Sequence, residues 1–214
     1  MKFSIEELRP TRNGMTISRD SKLGNSTKVT YFSMGKDTSI SQESYDRMTM
    51  YIGASGWVEF IIGEEPEIIK LQPDELLIVP AGTLCGMQTS NGIVYTEIIC
   101  TGKDINMNAN VKTNEVFALK NLISYEEGSI ANMDVVSTPD MKYVLMAFDE
   151  GTGLTPHRAP GNAIVFALEG KATIGYEGKD YELSEGECFR FEKNGLHSVT
   201  ANGKFKMALL LVLE

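Results

Sequence analysis

GTGLTPHRAPGNAIVFALEGKATI, residues 151–174, and GECFRFEKNGLHSVTA, residues 186–201, decide how this 214-residue chain is read. Each stretch holds one histidine, His157 or His197, and the chain has no other. Both set short β-branched or aromatic runs, AIVFAL and CFRF, beside turns rich in glycine and asparagine, which is the pattern of strands and not of helices. In a strand, residues two apart share a face, so position 159 faces the same way as His157 while Arg158 points away.

Outward from these stretches, the chain repeats itself. A displacement of 114 residues aligns Phe3–Gly56 with Phe117–Gly170 without a gap and matches Phe3/Phe117, Leu8/Leu122, Gly14/Gly128, Asp20/Asp134, Lys28/Lys142, Thr38/Thr152 and Gly56/Gly170. The order of turns continues the match beyond Gly56. WVEFIIGEEPEIIKLQP and KATIGYEGKDYELSE each read as two strands around a glycine-containing turn, and the first is two residues longer. DELLIVPAGTLC and GECFRFEKNGLH each read as a run closed by a turn. SNGIVYTEIIC and ANGKFKMALLLVLE each place an Asn-Gly turn before an apolar strand, since asparagine and glycine tolerate positive φ. Two short helical turns are expected at residues 4–9 and 118–124.

Composition narrows the function. The chain is 42 % hydrophobic with 20 glycines and 7 prolines, an ordinary globular balance. A formal net charge of -9 without a lysine or arginine cluster repels phosphate backbones and anionic membrane surfaces. Neither nucleic acid nor membrane is an expected partner. MKFSIEELRPTRNG lacks an apolar export core, and no stretch nears the roughly 20 apolar residues of a bilayer span. A cytoplasmic protein is expected, in which the sequon Asn25-Ser26-Thr27 stays unmodified. Cys85, Cys100 and Cys188 show no CxxC spacing and read as small buried hydrophobes. There is no GxxxxGK[ST], HExxH or GxSxG motif, and GTGLTP leads into a strand, so it is a turn and not a dinucleotide loop.

Gly151, His157 and Gly170, with Gly186 and His197, resemble the two spaced motifs of the cupin superfamily. The first motif of that family is a glycine, five residues, His-x-His, a nearby glutamate and a later glycine. The second is a glycine, a strand, a Pro-x-Gly turn and a histidine. This chain departs from both. Ala159 stands at the second histidine, Ala163 at the glutamate, Glu192 at the proline and Asn194 at the turn glycine. The first copy resembles the family through ASGWVEF and through Pro80-Ala81-Gly82, with Cys85 at the second-motif histidine and Glu43, Tyr45 and Thr49 at the first-motif ligand positions.

The resemblance implies an all-β protein of two tandem cupin-type small β-barrels, a bicupin of the double-stranded β-helix or jelly-roll kind. Its expected parts are residues 1–102, a barrel lacking metal-ligand residues; 103–114, an asparagine-rich linker; and 115–214, a barrel holding His157 and His197. Two imidazoles can hold a divalent ion, Zn, Ni, Mn or Fe, but a stable site normally takes three or four protein ligands. The expected function is therefore the binding of a small polar metabolite in the C-terminal barrel, with a divalent metal completed by water or ligand oxygen. A metal-dependent dioxygenase or isomerase, and a non-catalytic sensory or structural bicupin, are the alternatives. LIVPAGTLCG also resembles the sugar-sensing barrels of bacterial transcription regulators, although no room remains for a helix-turn-helix. Without metal, either histidine could act as general acid or base near about pH 6.5. Arg158 and Arg190 are candidates to anchor an acidic ligand, or are surface residues. Cys85 has no histidine in its own copy to activate it. Glu169, Glu187 and Glu192 are the nearby carboxylates. A homodimer is an expected association, and MALLLVL reads as a core strand.

Overall fold

The fold is given by a computed structural model that describes residues 1–24, 27–101 and 104–213. Asn25 and Ser26 of the sequon and Lys103 of the linker stretch lie outside the described residues. The chain opens with β1 (Lys2–Phe3) and a one-turn helix α1 (Ile5–Leu8). There follow β2 (Thr16–Asp20), β3 (Lys28–Met34), β4 (Thr38–Ser44), β5 (Thr49–Gly56), β6 (Val58–Ile62), β7 (Glu67–Leu71), β8 (Glu75–Val79), β9 (Leu84–Thr89) and β10 (Ile93–Ile99). Next come β11 (Asn106–Met107), β12 (Val116–Ala118), a 3-10 turn Leu119–Asn121, and β13 (Ile130–Ser137). The chain closes with β14 (Met141–Phe148), β15 (Gly153–Arg158), β16 (Asn162–Tyr176), β17 (Lys179–Ser184), β18 (Cys188–Phe191) and β19 (Leu196–Val212). The two helical turns lie inside the ranges expected for them.

Two compact units result. The N-terminal unit comprises Ile5–Thr101 and Ala109–Ala118, and the C-terminal unit comprises Met1–Ser4, Gly102–Asn108 and Leu119–Glu214. Most of the 103–114 stretch is thus shared out between the units: β11 pairs with β13 in the C-terminal unit, and residues from Ala109 on lead to β12, which pairs with β8 in the N-terminal unit. The first strand, β1, pairs with β18. A short polar stretch without periodicity gives no sign of such pairing, because a two-residue strand is fixed by its partner's exposed edge and not by its own pattern.

The N-terminal unit stacks an antiparallel sheet β12-β8-β5-β10-β3-β2 on an antiparallel sheet β4-β9-β6-β7. Strict alternation explains the packing: in β6, Val58, Phe60 and Ile62 are buried while Glu59 and Ile61 are not fully so. The inward residues Met34, Tyr51, Phe60, Leu77, Met87 and Tyr95 form one core. The C-terminal unit builds the same pattern from two long bent strands, β16 of 15 residues and β19 of 17, which pair with each other and with the flanking strands. Phe148, Phe189, Phe191 and Phe205 fill its centre, each burial contributing about 2–3 kcal/mol.

Gly56 and Gly170 mark the same corner in the two units. Each has positive φ, +73° and +76°, and a Cβ on either would lie 2.1 Å from a carbonyl oxygen, that of Gly92 or of Lys204. Only glycine allows this approach. The expected break at Asn202-Gly203 is corrected: β19 continues through it, with Ala201 opposite Ala172 and Phe205 opposite Gly170, so three residues bulge past one. The matching Asn91-Gly92 lies in the short connection that carries the chain from β9 in one sheet to β10 in the other. A bulge keeps the long strand paired with β16 on both sides of the bend.

Candidate functional site

His157 sits on β15, an edge strand that pairs, among the described residues, only with β19. Leu154 opposes Val199 and His157 opposes His197, so three steps along β15 match two along β19. The extra residue is accommodated at Thr155-Pro156, where proline's missing N–H costs no ladder bond. This bulge restores the phase: Leu154, which packs on the core, and His157 share one face with Val199 and His197. The two imidazoles consequently meet, with ring centroids 4.3 Å apart.

Each ring is held by its own backbone. Nδ1 of His157 lies 2.8 Å from the carbonyl oxygen of Thr155, and Nδ1 of His197 lies 2.9 Å from that of Gly195. A carbonyl only accepts, so each Nδ1 carries the proton in the neutral ring and each Nε2 presents a lone pair. Phe191 stacks on His197 at 4.2 Å, fixing the ring plane. His197 is buried and His157 is exposed. Burial holds the His197 pKa below its usual value, the hydrogen bond to Gly195 opposes this, and the His157 charge adds to the lowering. His197 is therefore neutral at neutral pH.

The remaining family ligand positions supply no donor. Ala163 is 1 % exposed and packs in the core, and Ala159 offers only its carbonyl, which accepts from Asn194 N at 3.0 Å. The carboxylates near in sequence are engaged elsewhere: Glu187 with Lys2 at 2.8 Å, Glu192 with Arg190 at 2.8 Å, and Glu169 with Tyr125 Oη at 2.9 Å. Arg158 donates to the Asn194 carbonyl and lies 3.7 Å from Glu177. Among the described residues, no group of three histidine, cysteine, aspartate or glutamate side chains could hold a metal. Two imidazoles alone do not make a resident metal site.

The N-terminal unit repeats the architecture with other side chains. Ile40 opposes Met87 and Glu43 opposes Cys85, again three steps against two. Glu43 and Cys85 hold the places that His157 and His197 hold in the C-terminal unit. The turn before each also agrees: Gly82 and Asn194 both have positive φ, +79° and +62°. Asparagine is among the few other residues that adopt this conformation readily. Burial raises the Cys85 thiol to about 11, so it is no nucleophile. Phe191, which orients His197, and the polar interior of the N-terminal unit were missed by sequence reasoning. The signal for the latter is Glu97, which falls in phase with the inward residues Ile93 and Tyr95 of β10.

Comparison with known proteins agrees with this architecture. The cupin domain family matches residues 144–213. No curated protein sequence matches the chain. A cupin 2 conserved barrel domain protein from Leptotrichia buccalis superposes with a TM-score of 0.87 at 24 % identity, covering 99 % of this chain and 96 % of that one. Salicylate 1,2-dioxygenase from Pseudoaminobacter salicylatoxidans superposes with a TM-score of 0.63 at 11 % identity, covering 87 % of this chain and 71 % of that one. Its adduct with gentisate gives 0.66 at 10 % identity, covering 92 % and 73 %. At these identities the likeness is one of fold, and the fold is the jelly-roll of cupins. No helix among the described residues is long and apolar enough to cross a membrane.

Proposed function

We propose that the C-terminal unit binds a small polar metabolite through the paired Nε2 atoms of His157 and His197. One observation carries this reading: both Nδ1 atoms are committed to backbone carbonyls, which leaves an Nε2 lone pair on each of two rings whose centroids are 4.3 Å apart. Such a pair accepts hydrogen bonds from hydroxyl or amine donors. It equally offers half the coordination of a divalent ion whose other positions come from the ligand's own oxygen atoms and from water. Phe191, stacked on His197, gives the ligand an apolar wall.

The bulge shared by the two units supports a second inference, that the chain is a bicupin whose copies have diverged in their interiors. A metal-dependent dioxygenase or isomerase needs a third protein ligand, and Ala159 and Ala163 do not supply one. The test is a ligand-observed magnetic resonance screen of hydroxy acids, sugars and hydroxylated aromatic acids, with and without zinc, on the parent and on His157→Ala/His197→Ala. Ligands bound by the parent and released by the double variant, with its fold intact, support the reading. Ligands retained by the variant overturn it.

A further inference from the structure

The interior of the N-terminal unit holds a row of polar groups that the C-terminal unit lacks. Glu97 on β10 lies opposite Thr30 on β3 and opposite Tyr51 on β5. Directly opposed residues of antiparallel strands share a face. That face is the inner one, since Tyr95 stacks on Phe32 two residues further along the same strands, at 5.1 Å, and Tyr51 belongs to the core. In the C-terminal unit the 114-residue displacement takes Thr30 to Val144 and Tyr51 to Val165, and Leu209 stands opposite both. A Val-Leu-Val row fills one barrel where Thr-Glu-Tyr fills the other.

Three adjacent polar side chains facing a core are costly unless something meets them. Thr30, Glu97 and Tyr51 are 5 %, 7 % and 0 % exposed. Thr30 Oγ1 has no hydrogen-bond partner among the described residues, and the only group that meets Tyr51 Oη is the Cys85 thiol, a weak partner that leaves the hydroxyl without a strong hydrogen bond. Glu97 makes no hydrogen bond or ion pair among them either, and Lys28 offsets its burial only in part. An apolar row would serve the packing at no such cost, as Val144, Leu209 and Val165 do.

We propose that the Thr30–Glu97–Tyr51 row binds a small primary ammonium compound, whose three N–H donors meet the carboxylate and the two hydroxyls. Charge, donor count and surroundings all select this class. A water molecule would satisfy hydroxyls but leave the carboxylate uncompensated. A hard metal cation takes six or more oxygen ligands, more than this row presents. The rings of Tyr51 and Tyr95, 6.0 Å apart, add faces that attract a cation.

The pH dependence follows from the groups around Glu97. Tyr51, Tyr95, Tyr45, Cys85 and Lys28 are the titratable groups that act on it or feel its charge. The phenols and the thiol are all pushed upward and stay neutral, while burial lifts Glu97 to about 7. Ammonium binding therefore competes with one proton.

Titration calorimetry of the full chain with ethylammonium chloride tests this, in two buffers of different ionisation enthalpy, with ethanol as the neutral control. The expected result is saturable binding that tightens about tenfold from about pH 6 to about pH 8, with release of about one proton at the lower value and almost none at the higher. Ethanol should show no binding. Glu97→Gln should weaken ethylammonium at least about tenfold and abolish the pH dependence, and Thr30→Val should weaken it about fivefold and preserve that dependence. Absence of saturable binding to folded parent protein, affinity independent of pH, or equal affinity in a folded Glu97→Gln variant overturns the proposal. Thr30→Val, nearly isosteric, and the pH series on the parent stand should Glu97→Gln not fold.

Discussion

His157 stands directly across from His197, one residue past the point where β15 and β19 would meet in regular register. That single extra residue turns an exposed edge-strand side chain toward a buried one and brings the rings to 4.3 Å. Glu43 and Cys85 stand in the same relation in the N-terminal unit, so the register shift occurs in both units and the side chains placed by it differ between them.

The His197 ring should titrate below its ordinary value of 6.5, because burial is the largest influence on it. His157→Gln removes only the smaller influence of the neighbouring charge. The midpoint should move up slightly in that variant and remain depressed, as read by proton magnetic resonance. A return to the ordinary value would make the neighbour, not burial, the cause.

Ala159→His should create what the site lacks. A third imidazole two residues from His157 should raise apparent zinc affinity at least about a hundredfold over the parent, measured by competition with a chromogenic chelator. An unchanged affinity would place position 159 away from the two existing rings.

Gly56→Ala and Gly170→Ala should each destabilise the protein by about 2–4 kcal/mol in urea unfolding, since strain at positive φ adds to a Cβ driven into a carbonyl oxygen. Gly128→Ala, with φ +63° and nothing within 4 Å of the added Cβ, should cost only about 1 kcal/mol. Equal losses at all three would remove the corner contact from the explanation.

Glu97 should make the empty protein less stable as pH rises. Its carboxyl is lifted by burial from 4.5 to about 7, so the folded chain binds more protons than the unfolded chain between these values. The stabilisation is complete below about 4.5 and is lost as pH rises through about 7; the displacement corresponds to roughly 3 kcal/mol. His197, lowered by burial, acts in the opposite sense and costs stability as pH falls below 6.5. The difference in unfolding free energy between parent and Glu97→Gln isolates the first effect. A flat difference across this range would contradict it.

Much of this was legible in the residues. Alternating short runs and Asn-Gly turns point to strands, and the resemblance of Gly151, His157, Gly170, Gly186 and His197 to the cupin motifs implies one barrel for both histidines. The bulge at Thr155-Pro156 was not legible, because a register shift is a property of two strands and a single strand's pattern does not contain the partner's count. For the same reason Asn202-Gly203 reads as a turn: its chemistry suits either a hairpin or a bulge, and the pairing of β19 with β16 decides between them. Thr30, Glu97 and Tyr51 are far apart in sequence and become a row only through the order β3-β10-β5.

The most direct test of the histidine site is a long-range proton–nitrogen correlation spectrum of the protein labelled at histidine, which contains only two rings. At about pH 8 both rings should carry their proton on Nδ1, and addition of a metabolite found in the screen should shift both Nε2 resonances together. A proton on Nε2 of either ring, or a bound metabolite that leaves both Nε2 resonances unmoved, would contradict the assignment of His157 and His197 as the binding pair.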